Sequence, residues 1–227
     1  MSSKLPIKAI RVKARPDFSI EDSIGGLVCG LDEVGRGPLA GPVVAACVYI
    51  PAEKRNLKFV SEIRDSKKLL PQKLETLFDF ISEHFVFALT EISPQIIDQI
   101  NILQASLLAM KKSHEQIKAA AITHALVDGN KCPALSCPAT AVIKGDGRSV
   151  SIAAASIIAK VTRDRLMEKL AEEHPHYGWE RNVGYPTVEH MSAIDRHGIT
   201  DHHRRTFAPV RNFIEFGSVH RPLSQAV

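Results

Sequence analysis

Residues 30–44 have the sequence GLDEVGRGPLAGPVV. Apolar, β-prone runs lie on either side of the central glycines, from Leu27 to Leu31 and from Val43 to Ile50. Runs of this length that are bounded by glycine and proline are typical of strands, so we predict two strands joined by a glycine-rich loop. Asp32 and Glu33 directly follow the first strand, at the point where the loop begins.

The remaining chain alternates between helical and strand patterns. Apolar spacing and capping residues predict helices over 71–84, 94–118, 151–173 and 188–197, and strands over 85–91, 124–128 and 139–143. This order predicts a mixed α/β domain followed by a small helical part. We divide the chain into an N-terminal extension (1–24), the α/β domain (25–173), a helical C-terminal part (174–216) and a tail (217–227).

The composition indicates an ordinary packed domain. Of the 227 residues, 44% are hydrophobic and 24% are charged, which excludes disorder, collagen and coiled coil as the main architecture. No apolar run is long enough to span a membrane, and the first residues lack the apolar block of a secretory signal. Four cysteines are too few for a disulfide scaffold, so we expect a cytoplasmic location. The net charge of +4 points weakly to a polyanionic partner, although a basic N-terminal tail explains it equally well.

Four carboxylates lie at the ends of predicted strands or just after them. Asp32 and Glu33 follow the first, Asp128 ends the strand over 124–128, and Asp146 follows the strand over 139–143. Each alone is most simply a turn or loop residue. If the strands are neighbours, however, the carboxylates converge, and four ionised carboxylates need a cation to hold them together. We therefore predict a site for Mg²⁺ or Mn²⁺.

Several other residues are candidates for ligand contact, each with a simpler alternative. The glycines in Gly35-Arg36-Gly37 let backbone groups approach a ligand closely, or they form a tight turn that binds nothing. The pair Lys67 and Lys68 predicts phosphate contacts or a solvated face.

Two further groups are similarly open. Lys160 and Arg163 are three apart on one side of a predicted helix and are candidate phosphate contacts. The stretch from His202 to Arg205 predicts a phosphate-facing or helix-end cluster, with a plain surface patch as an equal alternative. Tyr185, between a glycine and a proline, is by default a core or surface residue.

The order and identity of seven motifs resemble those of bacterial ribonuclease HII, the type 2 ribonuclease H family. The resemblance extends from about Leu27 to about Phe213. Arg36 and the short extension favour this family over ribonuclease HIII, which normally has lysine at that position and a longer N-terminal domain. The matching segments are residues 30–44, 65–69, 127–130, 144–146, 152–164, 184–187 and 202–207.

The resemblance implies a ribonuclease H-like fold, in which helices flank a mixed sheet. It also implies metal-dependent hydrolysis of the RNA strand of RNA–DNA hybrids and incision 5′ of single ribonucleotides in duplex DNA, as in ribonucleotide excision repair. Two metal ions, Mn²⁺ or Mg²⁺, would leave 5′-phosphate and 3′-hydroxyl ends. By resemblance Asp32, Glu33 and Asp128 are metal ligands, and Asp146 completes the catalytic set.

The same resemblance assigns the binding residues and partners. Residues 35–37 recognise a 2′-hydroxyl, and Tyr185 stacks on the sugar at the junction between ribo- and deoxyribonucleotide. The expected partners are the RNA–DNA hybrid and ribonucleotide-containing duplex DNA. We expect a monomer that does not bind a membrane. Whether it binds a sliding clamp is an open alternative. Two alternatives remain. Another two-metal nuclease of this fold would cut plain DNA, and a non-catalytic binding module would have lost a carboxylate, whereas all four are present.

Overall fold

A five-stranded sheet forms the centre of the protein in the computed structural model, which describes residues 15–117 and 122–221. The strands are β1 (Val28–Val34), β2 (Val43–Tyr49), β3 (Val86–Ile92), β4 (His124–Asp128) and β5 (Ala139–Val142). Their spatial order is β3-β2-β1-β4-β5. The pairs β1–β2 and β2–β3 are antiparallel, and β4 and β5 continue the sheet in parallel with β1. The predicted mixed sheet is therefore confirmed.

Seven helices accompany the sheet in the described part of the chain. They are α1 (Ser19–Ile24), α2 (Pro71–His84), α3 (Pro94–Gln116), α4 (Val150–Glu173), α5 (Trp179–Asn182), α6 (Val188–His197) and α7 (Ala208–Phe216). The prediction for α2 is confirmed, and α6 begins where Thr187 caps it, with the Thr187 hydroxyl accepting from the His190 N–H. Residues 1–14, Lys118 of the predicted third helix and residues 222–227 of the tail lie outside the described residues.

Strand β1 is longer than predicted. It continues through Asp32 and Glu33, which pair with Ala46 and Ala45 of β2 instead of lying in the loop. Because successive side chains in a strand point to opposite faces, the two carboxylates leave the sheet on different sides. Asp32 lies on the face covered by α4, and Glu33 lies on the opposite face.

The two faces of the sheet have separate apolar cores. On one face, β2 residues such as Val44 and Val48 pack with α2 and the buried first half of α4. On the other, Cys29 and Cys47 pack with α3, as expected for core cysteines. Helix α3 is not continuous: Asn101 has φ 64°, and its side-chain oxygen accepts from the N–H groups of Leu103 and Gln104, so a new helical segment begins there.

The described end of the predicted extension belongs to the folded body. Glu21 on α1 is 2% exposed, and its Oε1 accepts from the Ser149 and Ser151 hydroxyls at 2.7 Å and from the Ser151 N–H at 3.1 Å. These groups form the start of α4, where a helix favours negative charge. The boundary predicted at residue 24 is therefore too late, because residues 17–24 pack on the domain.

The C-terminal helices share a third core with the loop after β1. Leu39 and Ala40 pack there with Trp179, Ile194 and Met167 of α4. This core crosses the predicted boundary at residue 173 and fixes the C-terminal part against the sheet. Among the helices of the described residues, none is sufficiently long and apolar to cross a lipid bilayer.

The contact between β1 and α4 leads to a stability prediction. A Cβ at Gly30 would lie 2.2 Å from the Ser151 carbonyl carbon and 2.3 Å from the Ile152 nitrogen, and backbone atoms cannot move aside. Gly30→Ala should therefore lower the free energy of unfolding by about 2–3 kcal/mol, measured by urea denaturation. Gly147→Ala is the matched control, since no atom lies within 4 Å of its added carbon. Equal stability of the two variants would contradict the prediction.

Candidate active site

The four predicted carboxylates meet at one edge of the sheet. Parallel pairing of β1 with β4 places Asp128, the last residue of β4, beside the end of β1 that carries Asp32 and Glu33. Asp146 lies in the short 3₁₀ turn of residues 145–147 that follows β5, the next parallel strand. The neighbouring strands that the site prediction required are present.

Asp32 is the most deeply buried member of the site. It is 5% exposed, and its Oδ1 accepts from the Glu33 N–H at 2.7 Å. Burial raises the pKa of Asp32 well above its ordinary value, and the charges of Glu33 and Asp128 raise it further. The Ser156 hydroxyl of α4 opposes this rise only in part. The fold thus holds a carboxylate whose ionised form is poorly compensated by the protein itself.

Glu33 has a cationic neighbour. Arg36 Nη1 lies 3.3 Å from Glu33 Oε1, within the loop that follows β1. Burial raises the pKa of the Glu33 carboxyl, Arg36 lowers it, and the charge of Asp128 adds to the rise. The resulting pKa is above the ordinary value, so Arg36 does not fully compensate the carboxylate.

Asp128 and Asp146 are joined through the turn after β5. The Gly145 N–H donates to Asp128 Oδ1 at 2.7 Å, which fixes the side chain at the end of β4. Lys67 Nζ lies 3.8 Å from Asp146 Oδ2. Burial raises the pKa of Asp146, as do the charges of Asp65 and Asp128, while Lys67 lowers it.

Asp65 is a fifth carboxylate near the site that sequence reasoning missed. Its Oδ1 accepts from the Lys67 N–H at 3.0 Å and so caps the turn of residues 66–68. The Ser66 hydroxyl binds the Ser156 hydroxyl at 2.9 Å, which attaches this turn to α4. Partial burial lowers the pKa of Lys67, but Asp146, Asp32 and Asp65 outweigh that effect and leave it above its ordinary value.

The donor set suits a hard divalent cation. Carboxylate oxygens are the ligands that Mg²⁺ and Mn²⁺ prefer. Burial first, and neighbouring carboxylates second, raise the pKa of Asp32, and the protein supplies too little compensation for its ionised form. Within residues 15–117 and 122–221, no three of these carboxylates have oxygens within 4.8 Å of one another. Such an open set suits an ion that binds one or two carboxylates and keeps other positions for water and phosphate.

The loop after β1 is held by a buried arginine that the sequence analysis placed elsewhere. The Arg204 guanidinium, from a residue that is 0% exposed, donates to the carbonyl oxygens of Gly35 (2.6 Å), Arg36 (3.1 Å) and Gly41 (3.0 Å). Of the stretch 202–205, Arg204 is therefore neither a phosphate contact nor part of a plain surface patch. This residue fixes the path of residues 35–41.

Arg163 requires a similar correction. It was predicted to contact phosphate beside Lys160, but it is 1% exposed and donates to the carbonyl oxygens of Pro42, Ala40 and Val183 at 2.9–3.0 Å. The guanidinium is therefore unavailable to a ligand. Lys160 is half-buried and pairs with Asp164 at 2.7 Å, so its phosphate contact stays a prediction.

His203 is also buried, contrary to both sequence interpretations. Its Nδ1 accepts from the Thr200 N–H at 3.0 Å, so Nε2 carries the proton and donates to His190 Nε2 at 3.2 Å. The Trp179 indole also donates to His190 Nε2, and His190 Nδ1 donates to the Tyr185 carbonyl at 3.0 Å. This network connects the segment before Arg204 to the backbone of Tyr185.

The Tyr185 side chain lies beside the glycine-rich loop. It is 43% exposed, and a Cβ at Gly37 would lie 3.2 Å from its Cε1 atom. The ring therefore packs against Gly37 and stays partly exposed to solvent. Tyr185 thus lies beside the loop that directly follows Asp32 and Glu33, and its contact with a substrate stays a prediction.

A cleft of about 580 Å³ borders two of the four carboxylates, Asp128 and Asp146, and has a basic rim. Asp128 and Asp146 line it together with Asp65, while Lys67 and Lys68 are largely exposed at its edge. Three further basic residues that were not singled out from the sequence also line the cleft: Arg64, Lys144 and Arg148. Anionic ligands are attracted by such a rim.

Comparison with known proteins identifies the family. The family model described as Ribonuclease HII matches residues 29–210, which include all four carboxylates, the glycine-rich loop and Arg204. The chain belongs to the ribonuclease HII family. A ribonuclease HII of Paramagnetospirillum magneticum is 50% identical over 201 residues, covering 88% of this chain and 100% of that protein.

Solved structures of ribonuclease HII relatives have the same architecture. The ribonuclease H2 from Pyrococcus horikoshii matches 85% of this chain and 99% of that chain, with a TM-score of 0.71 and 27% identity. The structure of a PCNA:RNase HII complex from Archaeoglobus fulgidus matches 80% of this chain and 95% of that chain, with a TM-score of 0.65 and 27% identity. The predicted ribonuclease H-like fold is confirmed.

Family membership also confirms the class of activity. As a ribonuclease HII, the protein is a metal-dependent endoribonuclease that degrades the RNA of RNA–DNA hybrids. The roles of the individual residues and the choice between Mg²⁺ and Mn²⁺ stay predictions.

Asp128 offers a direct test of the carboxylate site. Asp128→Asn should lower cleavage more than about 100-fold, because it removes one charge from the cation site. The Asn oxygen still accepts from the Gly145 N–H, so the fold is kept. Without metal, the melting temperature should stay equal or rise, since repulsion of Asp32 is relieved. Asp79→Asn, on the exposed side of α2, is the control. Wild-type cleavage by folded Asp128→Asn would contradict the site.

His203 leads to a prediction about pH. Burial lowers the pKa of His203 to about 3, and the neighbouring His190, His202 and His174 contribute to the lowering. In the unfolded chain a histidine has a pKa near 6.5, so the neutral form stabilises the fold fully above about pH 6.5. As the pH falls towards 3, this stability is lost, by about 3 kcal/mol at pH 4.5. Urea unfolding at pH 7 and 4.5 measures the loss. Histidine NMR should show neutral His203 at pH 5, and ordinary titration near 6.5 would contradict this.

Proposed function

We propose that this ribonuclease HII incises the strand on the 5′ side of a ribonucleotide, both in RNA–DNA hybrids and at a single ribonucleotide in duplex DNA. The products carry 5′-phosphate and 3′-hydroxyl ends. The observation that carries the proposal is the packing of the glycine-rich loop against Tyr185, directly after the strand that bears Asp32 and Glu33.

The carboxylates hold two Mg²⁺ or Mn²⁺ ions in this proposal. Asp32, Glu33 and Asp128 are the ligands, and Asp146 completes the set from the turn after β5. Bound divalent ions supply the positive charge that the attacking and leaving oxygens require. The carboxylates themselves would hold the ions and not the phosphate, which has the same sign of charge, and none of them acts as a covalent nucleophile.

The glycine-rich loop is suited to a hydroxyl group. Arg204 engages the carbonyl oxygens of Gly35 and Arg36, whereas the N–H groups of Arg36 and Gly37 donate to no other group of the described residues. A 2′-hydroxyl both donates and accepts, so a free N–H and the second lone pair of a carbonyl oxygen satisfy it together. Deoxyribose lacks this group and leaves the loop without a partner.

Tyr185 then selects the following nucleotide. Its ring packs on Gly37, and its backbone carbonyl accepts from His190 Nδ1. A flat apolar ring packs on a deoxyribose, while a 2′-hydroxyl at that position crowds it. The two contacts together place the phosphate 5′ of the ribonucleotide at the carboxylates.

Basic residues position the backbone without sequence preference. Lys67 and Lys68 are the exposed candidates for phosphate contact at the cleft rim, and Lys160 is a third candidate.

In this proposal the protein is a cytoplasmic monomer that acts in ribonucleotide excision repair. The Archaeoglobus fulgidus relative was solved with PCNA, which supports keeping a sliding clamp as a candidate partner.

Cleavage of defined duplexes tests the function. Labelled duplexes with four, one or no ribonucleotides are incubated with and without Mg²⁺ or Mn²⁺. We expect metal-dependent cleavage of the first two, with the single ribonucleotide left as the 5′-phosphorylated end of the downstream fragment. Cleavage of the all-DNA duplex would instead indicate another two-metal nuclease, and binding without cleavage a non-catalytic module.

Tyr185 variants test the junction contact. Tyr185→Ala should lose at least about tenfold more activity on the single-ribonucleotide duplex than on a long hybrid, because only one phosphate is correctly placed in the former. Tyr185→Phe is the matched control and should lose little, since stacking needs the ring and not the hydroxyl. Equal losses of Tyr185→Ala on both substrates would mean that the side chain only packs the C-terminal part.

A further inference from the structure

Outside the active site, three metal-binding groups converge where α4 ends. Glu173 is the last residue of α4, His174 follows it, and His202 lies in the segment that leads to Arg204. One carboxylate oxygen and one ring nitrogen from each histidine all lie within 4.8 Å of one another. It is the one such group of three or more ligand atoms among the described residues.

These donor groups have no other hydrogen-bonding role in the structure. Across residues 15–117 and 122–221, the ring nitrogens of both histidines and the Glu173 carboxylate form no hydrogen bond or ion pair, whereas His203 and His190 are fully engaged nearby. The His174 and His202 rings meet at a centroid distance of 5.4 Å and an angle of 61°. Glu173 is exposed and both histidines are half-buried, so solvent reaches the group.

We propose that Glu173, His174 and His202 form a binding site for a zinc-class transition cation, separate from the carboxylate site. Two imidazoles and one carboxylate are a donor set that Zn²⁺ uses, with water in the remaining position. Ligand atoms that share a tetrahedral Zn²⁺ ion at about 2.0–2.1 Å lie about 3.4 Å apart, so side-chain rotations that bring the three groups closer together close the site. The nitrogen donors distinguish it from the all-oxygen active site, which favours Mg²⁺ or Mn²⁺.

A bound cation would cross-link two parts of the fold. Glu173 and His174 belong to the end of α4, and His202 precedes by two residues the arginine that holds the glycine-rich loop. The His202 carbonyl also accepts from the Gly41 N–H at 2.9 Å, so the segment is already fixed to that loop on its backbone side. The cation would connect the His202 side chain to the end of α4, and binding should raise the melting temperature.

Metal titration of the untagged full chain tests the proposal. Zn²⁺ is titrated against a chromophoric chelator in excess Mg²⁺, and Co²⁺ absorption reports nitrogen coordination. We expect one equivalent to bind and the melting temperature to rise. His174→Ala and His202→Ala should each weaken binding at least about tenfold, because even an outer partner of a metal ligand is worth that much. His220→Ala, at an exposed histidine, and Asp128→Asn, at the carboxylate site, should bind as the wild type does.

Two outcomes would overturn the proposal. One is the absence of stoichiometric Zn²⁺ uptake in excess Mg²⁺. The other is unchanged binding in both His174→Ala and His202→Ala, which would place the ion elsewhere. If either variant unfolds, histidine NMR of the wild-type protein decides: Zn²⁺ should shift the His174 and His202 ring signals and leave the His220 signal unchanged. Shifts confined to other histidines would count against the site.

Discussion

Two buried guanidinium groups determine the position of the loop between β1 and β2, and the active site takes its shape from that loop. Arg163 reaches it from α4 and Arg204 from the segment before α7, and both donate to backbone carbonyls. Burial lowers the pKa of Arg163 to about 10 and of Arg204 to about 9, so both stay charged at neutral pH. Neither forms an ion pair with a carboxylate of the described residues; carbonyl dipoles stabilise the charges instead.

The carboxylate site shows the opposite balance of charge. Burial and mutual repulsion raise the pKa of Asp32, Glu33 and Asp146, and the charges of Lys67 and Arg36 together with a few hydrogen bonds oppose the rise only in part. The fold tolerates this arrangement because β1 and β4 are fixed by pairing within the sheet and by the α4 contact at Gly30. A rigid frame therefore keeps a site whose stability improves when cations bind. Strained electrostatics of this kind are common at catalytic centres.

The sequence was most informative where local patterns decide the structure. Helix α2 and strand β4 lie at the predicted residues because apolar spacing alone defines them. Asp32 and Glu33 were placed outside the strand because their pairing with β2 is a tertiary contact that composition does not show. Lys160 and Arg163 do share a helix side by spacing, but only the packed fold reveals that carbonyl groups surround Arg163.

The same limit applies to histidines and to the chain start. Nothing in the His202-His203 dipeptide tells which ring is buried, since that depends on Trp179 and His190 of distant helices. Likewise, the polar stretch before residue 25 has no apolar periodicity, and its packing depends on tertiary contacts such as those of Glu21 with the start of α4. The strand ends alone predicted that the four carboxylates converge if their strands are neighbours, and only the sheet order shows that β1, β4 and β5 are neighbours.

Glu21 has a consequence for the order in which the protein folds. Its hydroxyl and amide partners on Ser151 lie 130 residues further along the chain. During synthesis, Glu21 can therefore form these hydrogen bonds only after most of the protein has been made. The N-terminus of α4 is therefore capped by a residue from the earliest described segment of the chain, and this contact needs the first turn of α4 to be present. Contacts of such sequence separation form slowly, because a long loop must close before they stabilise anything. The docking of residues 17–24 on α4 therefore has the entropic cost of closing a loop of 130 residues.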